Sequence, residues 1–191
     1  MQILKERIIK DGLALGTEIL KVDSFLNHQI DPRLMEQIGA EFRLRFDDVA
    51  EKIDKILTVE ASGIAVAMFA ARHFDYPQVV FAKKEQPSTM NEGYYAAEVR
   101  SFTKNIVSSI RIADKYLSSG ENVLIIDDFL AHGEAGTGLV DLVRQAGANV
   151  VGMGIVIEKE FQGGGHRIRE KGVRVESLAV VKKIADGVIY F

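Results

Sequence analysis

Cysteine is absent from the 191 residues, and proline occurs only three times, at Pro32, Pro77 and Pro87. Without cysteine there is no disulfide framework, no thiolate nucleophile and no thiolate metal site. No apolar run approaches the roughly 18–20 residues of a membrane span. The opening stretch MQILKERIIKDG interleaves charge with its apolar residues and lacks the h-region of a signal peptide, so a cytoplasmic protein is expected. A basic excess is missing as well: 24 Lys and Arg stand against 27 Asp and Glu, a formal charge of −3. Proteins that wrap nucleic acid usually carry the opposite balance, so no nucleic-acid partner is expected. What is present is 47% apolar and 27% charged residues, the balance of one globular domain.

From about residue 50 two kinds of segment alternate. Short β-branched runs occur at Ile56–Val59, Val79–Ala82, Val123–Ile126 and Val150–Ile157, as in buried parallel strands. Between them lie helical spacings. Ile64, Ala67, Met68 and Ala71 follow Ser62-Gly63, while Leu139, Leu142 and Val143 follow Gly133 and stop at Ala146-Gly147. This alternation predicts an α/β fold, a mainly parallel twisted sheet flanked by helices.

The first 46 residues differ, and they predict a small helical cap on an α/β core running from about 47 to 191. Asp31-Pro32 is a helix start, with Leu34, Met35, Ile38 and Phe42 on one face. A second helix is expected over 2–19, then an apolar connector over 21–30. Residues 83–101, KKEQPSTMNEGYYAAEVRS, form a long polar segment after a buried strand, and a flexible lid or hairpin-lid is expected there. Gly163-Gly164-Gly165 reads as a flexible turn, lacking the strand-before, helix-after context of a dinucleotide fingerprint.

The chemistry concentrates at Val123–Gly138. An apolar strand ends in Asp127 and Asp128, and Ala131, His132, Gly133, Glu134 and Ala135 lead into a helix. Ligands of open α/β sheets bind beyond the carboxyl ends of strands. Converging amides at a helix start attract phosphate, and paired carboxylates grip vicinal hydroxyls or a hydrated cation. A sugar phosphate fits both halves.

That stretch resembles the phosphoribosyl-diphosphate (PRPP) motif of the type I phosphoribosyltransferases, in particular the bacterial branch that uses xanthine. LKVDSFLNHQIDP (20–32), VEASGIA (59–65), SFTK (101–104), VLIIDDFLA (123–131) and GIVIEK (154–159) occur in family order. The loop departs from the pattern in lacking threonines and in placing His132 where asparagine is usual.

The resemblance implies transfer of ribose 5-phosphate from PRPP to N9 of xanthine, giving XMP and diphosphate in purine salvage. It implies Mg²⁺ arriving with PRPP and no dedicated metal ligands, no organic cofactor, and a homodimer. Asp127 and Asp128 become the ribose-hydroxyl pair, the loop from Ala131 to Ala135 the 5′-phosphate cradle, and Ala61, Ser62 and Gly63 the diphosphate loop. Lys83 or Lys84 would neutralise the leaving group, with Lys84 preferred. Leu20, Asn27 and Lys159 are assigned to the base. Lysine only donates hydrogen bonds, so Lys159 suits a 6-oxo group and opposes an exocyclic amine. Phe161 is placed either to stack on the purine or to fill the rim. The rivals are a guanine, hypoxanthine or adenine phosphoribosyltransferase and a PRPP-sensing transcriptional regulator on the same fold. A receiver domain, the other home of paired aspartates after a strand, would carry them near its N-terminus.

Overall fold

The computed structural model describes residues 1–84, 93–101 and 106–191. In chain order, helix α1 (Gln2–Asp11) is followed by a hairpin of β1 (Leu13–Leu15) and β2 (Ile19–Lys21). A π-helical turn over Asp23–Asn27 then leads to α2 (Pro32–Arg45), β3 (Lys55–Val59), α3 (Ser62–Ala71) and β4 (Gln78–Ala82). A second hairpin, β5 (Tyr94–Ser101) and β6 (Ile106–Ala113), precedes β7 (Asn122–Leu130), α4 (Glu134–Gln145) and β8 (Asn149–Lys159). The chain closes with α5 (Gly164–Glu170), β9 (Val175–Val181), β10 (Lys183–Ala185) and β11 (Val188–Tyr190).

The apolar runs pair as a parallel sheet of order β4-β3-β7-β8-β9. The order reverses between β3 and β7: the chain leaves β3 towards one edge and later leaves β7 towards the other. Such a switch point opens a crevice above the strand ends. Because successive side chains face opposite sides, the sheet divides two cores. Ile56, Leu124, Ile126 and Val156 face Phe42, Val66 and Ala70 from α2 and α3. Leu57, Ile125 and Ile155 face Leu139, Leu142 and Val143 from α4.

Helix α2 starts as its sequence predicts: the Asp31 carboxylate accepts from the amides of Arg33 and Leu34, and Pro32 takes the first helical position. Leu34, Met35, Ile38 and Phe42 are all buried. The single helix expected over 2–19 stops at Asp11. Gly12 is extended, and Gly16 at φ +62° turns the hairpin that follows. Leu4, Ile8, Leu20, Val22 and Phe25 from this N-terminal region join the same core as the sheet. The last strands pack there too, with Lys5 over the Phe191 ring and the Met1 ammonium donating to the Leu178 carbonyl. Of the expected lid, residues 85–92 lie outside the described residues, as does most of the SFTK stretch (102–104).

Candidate active site

Strand β7 runs on through both aspartates to Leu130, so Asp127 and Asp128 sit on its last turn of pleat rather than beyond it. Asp127 is only 6% exposed and Asp128 half-buried, and the Asp128 amide donates to Asp127 Oδ1 at 3.0 Å. Burial pushes the Asp127 carboxyl well above the usual carboxylate range, reinforced by the charge of Asp128. Burial also raises Asp128, while Lys84 pulls both back towards ionisation. The Lys84 ammonium therefore belongs to the carboxylates' surroundings.

After β7 the chain turns through Ala131 and His132, both half-buried, to Gly133 at φ +86°. Helix α4 begins there without a side-chain cap. Its first amides are therefore left for another acceptor, at the positive end of the helix dipole. The loop is backed by a second segment. The Gly164 amide donates to the Ala131 carbonyl at 3.0 Å, and Arg167 pairs with Glu134 at 3.0 Å. A Cβ on Gly133 would lie 2.9 Å from Gly164 Cα, and one on Gly164 would meet Gly133 N at 2.6 Å. The triple glycine is therefore no flexible turn. Gly163 at φ +77° and the buried Gly164 and Gly165 start helix α5 flush against the loop.

Across the switch point the cis peptide Glu60–Ala61 leads into α3. A Cβ on Gly63 would strike both Thr58 Oγ1 and Asp127 Oδ1, so the start of α3 lies directly against the carboxylate pair. Glu60 Oε1 accepts from the Lys84 amide at 2.7 Å, fixing where the chain departs after β4. Lys83 instead pairs its own amide and carbonyl with Arg111, each at 2.9 Å. Ala61, Ser62, Gly63, Lys84, Asp127 and Asp128 are thus brought together.

Lys159 ends β8, and the half-buried ammonium donates to the Glu18 carbonyl in the β1–β2 turn at 3.0 Å. Burial lowers its proton affinity, and the Glu18 charge restores part of it. Leu20 is buried on β2, two residues from that carbonyl, whereas Asn27 lies exposed at the end of the π-helical turn. Phe161, 38% exposed, follows in the 3₁₀ turn Glu160–Gln162. Sequence reasoning missed the bond by which Glu60 clamps Lys84, and it missed Gly164, which backs the Ala131–Ala135 loop. A carboxylate inside the EASG stretch, and three glycines in a chain whose other loops carry them singly, were the available signals.

Carboxylates, two capless helix starts and a lysine converge at the switch point, and the profile of the phosphoribosyl transferase domain matches residues 28–181. The chain belongs to the phosphoribosyltransferase family. It is 54% identical over 191 residues to a xanthine phosphoribosyltransferase from Clostridium novyi, covering 100% of this chain and 99% of that one. A xanthine phosphoribosyltransferase 1 from Clostridium perfringens is 52% identical over 191 residues, covering 100% of both. Among solved structures, the adenine phosphoribosyltransferase of Rhodothermus marinus superposes with a TM-score of 0.76 at 20% identity, over 95% of this chain and 100% of that one. At that identity the likeness shows the type I phosphoribosyltransferase fold. In that frame this phosphoribosyltransferase keeps the β7–α4 loop and the start of α3 at the carboxyl ends of neighbouring strands, with the β1–β2 turn bonded to Lys159 at the end of β8.

Proposed function

We propose that this phosphoribosyltransferase transfers ribose 5-phosphate from PRPP to N9 of xanthine, releasing XMP and diphosphate. The observation that carries xanthine is the full-length likeness to relatives bearing that name. The chemistry of Lys159 agrees with it: a half-buried ammonium, donor only, suits an oxopurine oxygen and repels the amine of adenine.

In this reading the amides at the start of α4, reached through Ala131, His132, Gly133, Glu134 and Ala135, take the 5′-phosphate. Asp127 and Asp128 accept from the ribose hydroxyls. The amides of Ala61, Ser62 and Gly63, with the Lys84 ammonium, receive the diphosphate. The bond from C1′ to the diphosphate oxygen breaks and its electron pair leaves with diphosphate. N9 supplies the pair for the new bond to C1′, and the proton it loses passes to solvent water. The two aspartates face the positive charge that builds on the ribose between those events, and that charge, with Lys84, opposes the burial that favours their protonated form. Lys159 and the main chain around Leu20 hold the base, with Asn27 turned towards its 2-oxo edge.

The residues fit Mg²⁺ carried by the substrate. Asp127 and Asp128 stand side by side at the end of β7, a pair that suits a hydrated divalent cation. The two aspartates would hold the ion's protein side, and the ion supplies charge neutralisation at the diphosphate. A homodimer in the cytoplasm completes the reading. Exposed Met68 on α3 and Tyr76 beyond it offer apolar surface for a partner copy, and PRPP is a highly charged molecule that does not cross membranes unaided. No helix among the described residues is long and apolar enough to cross one.

The test is an initial-rate assay with PRPP, Mg²⁺ and each of xanthine, guanine, hypoxanthine and adenine. The expected result is the highest kcat/KM on xanthine and about a thousandfold lower value on adenine, since a site that donates to an oxygen leaves a buried donor unpaired against an amine. Equal efficiency on adenine overturns the role of Lys159.

A further inference from the structure

The glycine-led helix α5 and the buried carboxylate beneath it take no part in the chemistry above. Glu158 precedes Lys159 at the end of β8 and is 2% exposed. Its two oxygens receive Arg169 Nη1 at 3.1 Å and Nη2 at 3.2 Å, and Ser177 Oγ on β9 donates at 2.5 Å. An isolated buried carboxylate is costly, and this one is compensated by a forked guanidinium and a hydroxyl. Arg169 lies near the end of α5. The first residue of that seven-residue helix touches the Ala131–Ala135 loop through the Gly164 amide on the Ala131 carbonyl, and Arg167, one turn further on, reaches Glu134. The fit at Glu158 is tight: a Cβ on Gly165 would strike Glu158 Oε1 and come within 2.6 Å of Arg169 Nη1. Nothing but glycine lets α5 sit this low.

We propose that Glu158 is a positioning residue for the 5′-phosphate cradle, acting through Arg169 and the rigid helix α5. The carboxylate holds α5 to the sheet at both ends, through Arg169 near its C-terminus and directly under Gly165 near its N-terminus, and Gly164 next to it sets the height and angle of the Ala131–Glu134 loop. The strand that presents Lys159 to the base thereby also sets the geometry of the phosphate loop. Ser177 binds the same carboxylate from β9 but reaches neither α5 nor the loop. Its loss removes a buried hydrogen bond without moving the cradle. This contrast separates a positioning role from a structural one.

The proposal rests on the phosphate-loop reading above but not on the choice of base, so its test uses ribose 5-phosphate as the probe. Arg169→Gln, Gly165→Ala, Ser177→Ala and the unaltered chain are compared by calorimetry with ribose 5-phosphate and by thermal unfolding. Arg169→Gln and Gly165→Ala are expected to weaken ribose 5-phosphate binding about tenfold. Ser177→Ala is expected to lower Tm by an amount similar to Arg169→Gln while binding the probe within twofold of the unaltered chain. If Arg169→Gln does not fold, the comparison of Gly165→Ala with Ser177→Ala decides. Unchanged binding in Gly165→Ala and Arg169→Gln overturns the brace, and so does equal weakening in Ser177→Ala. An unaltered chain that binds no ribose 5-phosphate overturns the phosphate-loop reading and the brace with it. An unaltered chain that binds the probe but does not turn over xanthine overturns the substrate assignment alone.

Discussion

Asp127 is held where a carboxylate is least at ease: under the start of α3, beside a second aspartate, with a fully buried and unpartnered Thr58 hydroxyl close by. Burial raises its proton affinity above the ordinary carboxylate range in the folded chain only. Above that range the folded state binds more protons than the unfolded one, so stability falls as pH rises towards the folded pKa. The substrate-free protein therefore carries a cost at neutral pH that Asp127→Asn removes. The expected outcome is a variant with a higher Tm near pH 7 that has lost PRPP turnover, each kcal/mol of relief being worth about 2–4 °C in a chain of this size. The gain should shrink as pH drops towards the range where the unfolded carboxyl also protonates. Thermal unfolding from pH 4 to 8, paired with a turnover assay, checks both halves. An Asn variant that is less stable at every pH contradicts this account of the burial.

Among the elements, the β7–α4 connection carries the most constraint per residue. Gly133 is needed twice over, once for its φ of +86° and once because Gly164 lies against it. Gly120 separates these two demands: its φ is +83°, but a Cβ there meets nothing within 4 Å. Gly120→Ala and Gly133→Ala should share a conformational cost of about 1–2 kcal/mol. Only Gly133→Ala should also lower kcat/KM for PRPP, by at least about tenfold. Equal activity in the two variants removes the requirement for contact.

This element also shows why some of the site was legible in sequence. Strand, paired acids, small-residue loop and helix are consecutive, so pattern alone places Asp127, Asp128 and the amides of the cradle. The α3 start was less so: Gly63 reads locally as a plain turn before a helix, and only the resemblance to the family marks Ala61, Ser62 and Gly63. The role of Gly164 was not legible, because what demands glycine there is Ala131 and Gly133, about thirty residues earlier. Nor was the hairpin at 13–21. Its leucines and isoleucine satisfy a helical spacing, and only the turn at Gly16 and the pairing of β1 with β2 decide against it.

At the scale of the whole molecule, both chain ends meet over one side of the sheet. α1, the β1–β2 hairpin and the C-terminal strands share the core that holds Phe42, Ile56 and Leu124. A region so joined has no separate core to melt alone, and one cooperative transition is expected. Tryptophan is absent from the sequence, so Phe191→Trp gives a single reporter packed beside α1. Its fluorescence and the far-ultraviolet dichroism of the whole chain should trace coincident urea curves. An earlier transition in fluorescence would show that the N- and C-terminal elements unfold apart from the sheet.

The bond from Lys159 to residue 18 ends on a main-chain oxygen rather than a side chain. Any amino acid at that position presents the same oxygen, so point mutations there leave the contact intact. The partner is the route of the hairpin itself, which changes when its length or pairing changes. Descendants of this chain that accept a different base should therefore differ first in insertions and deletions between residues 12 and 22, and drift in side-chain identity at residue 18 should be comparatively silent.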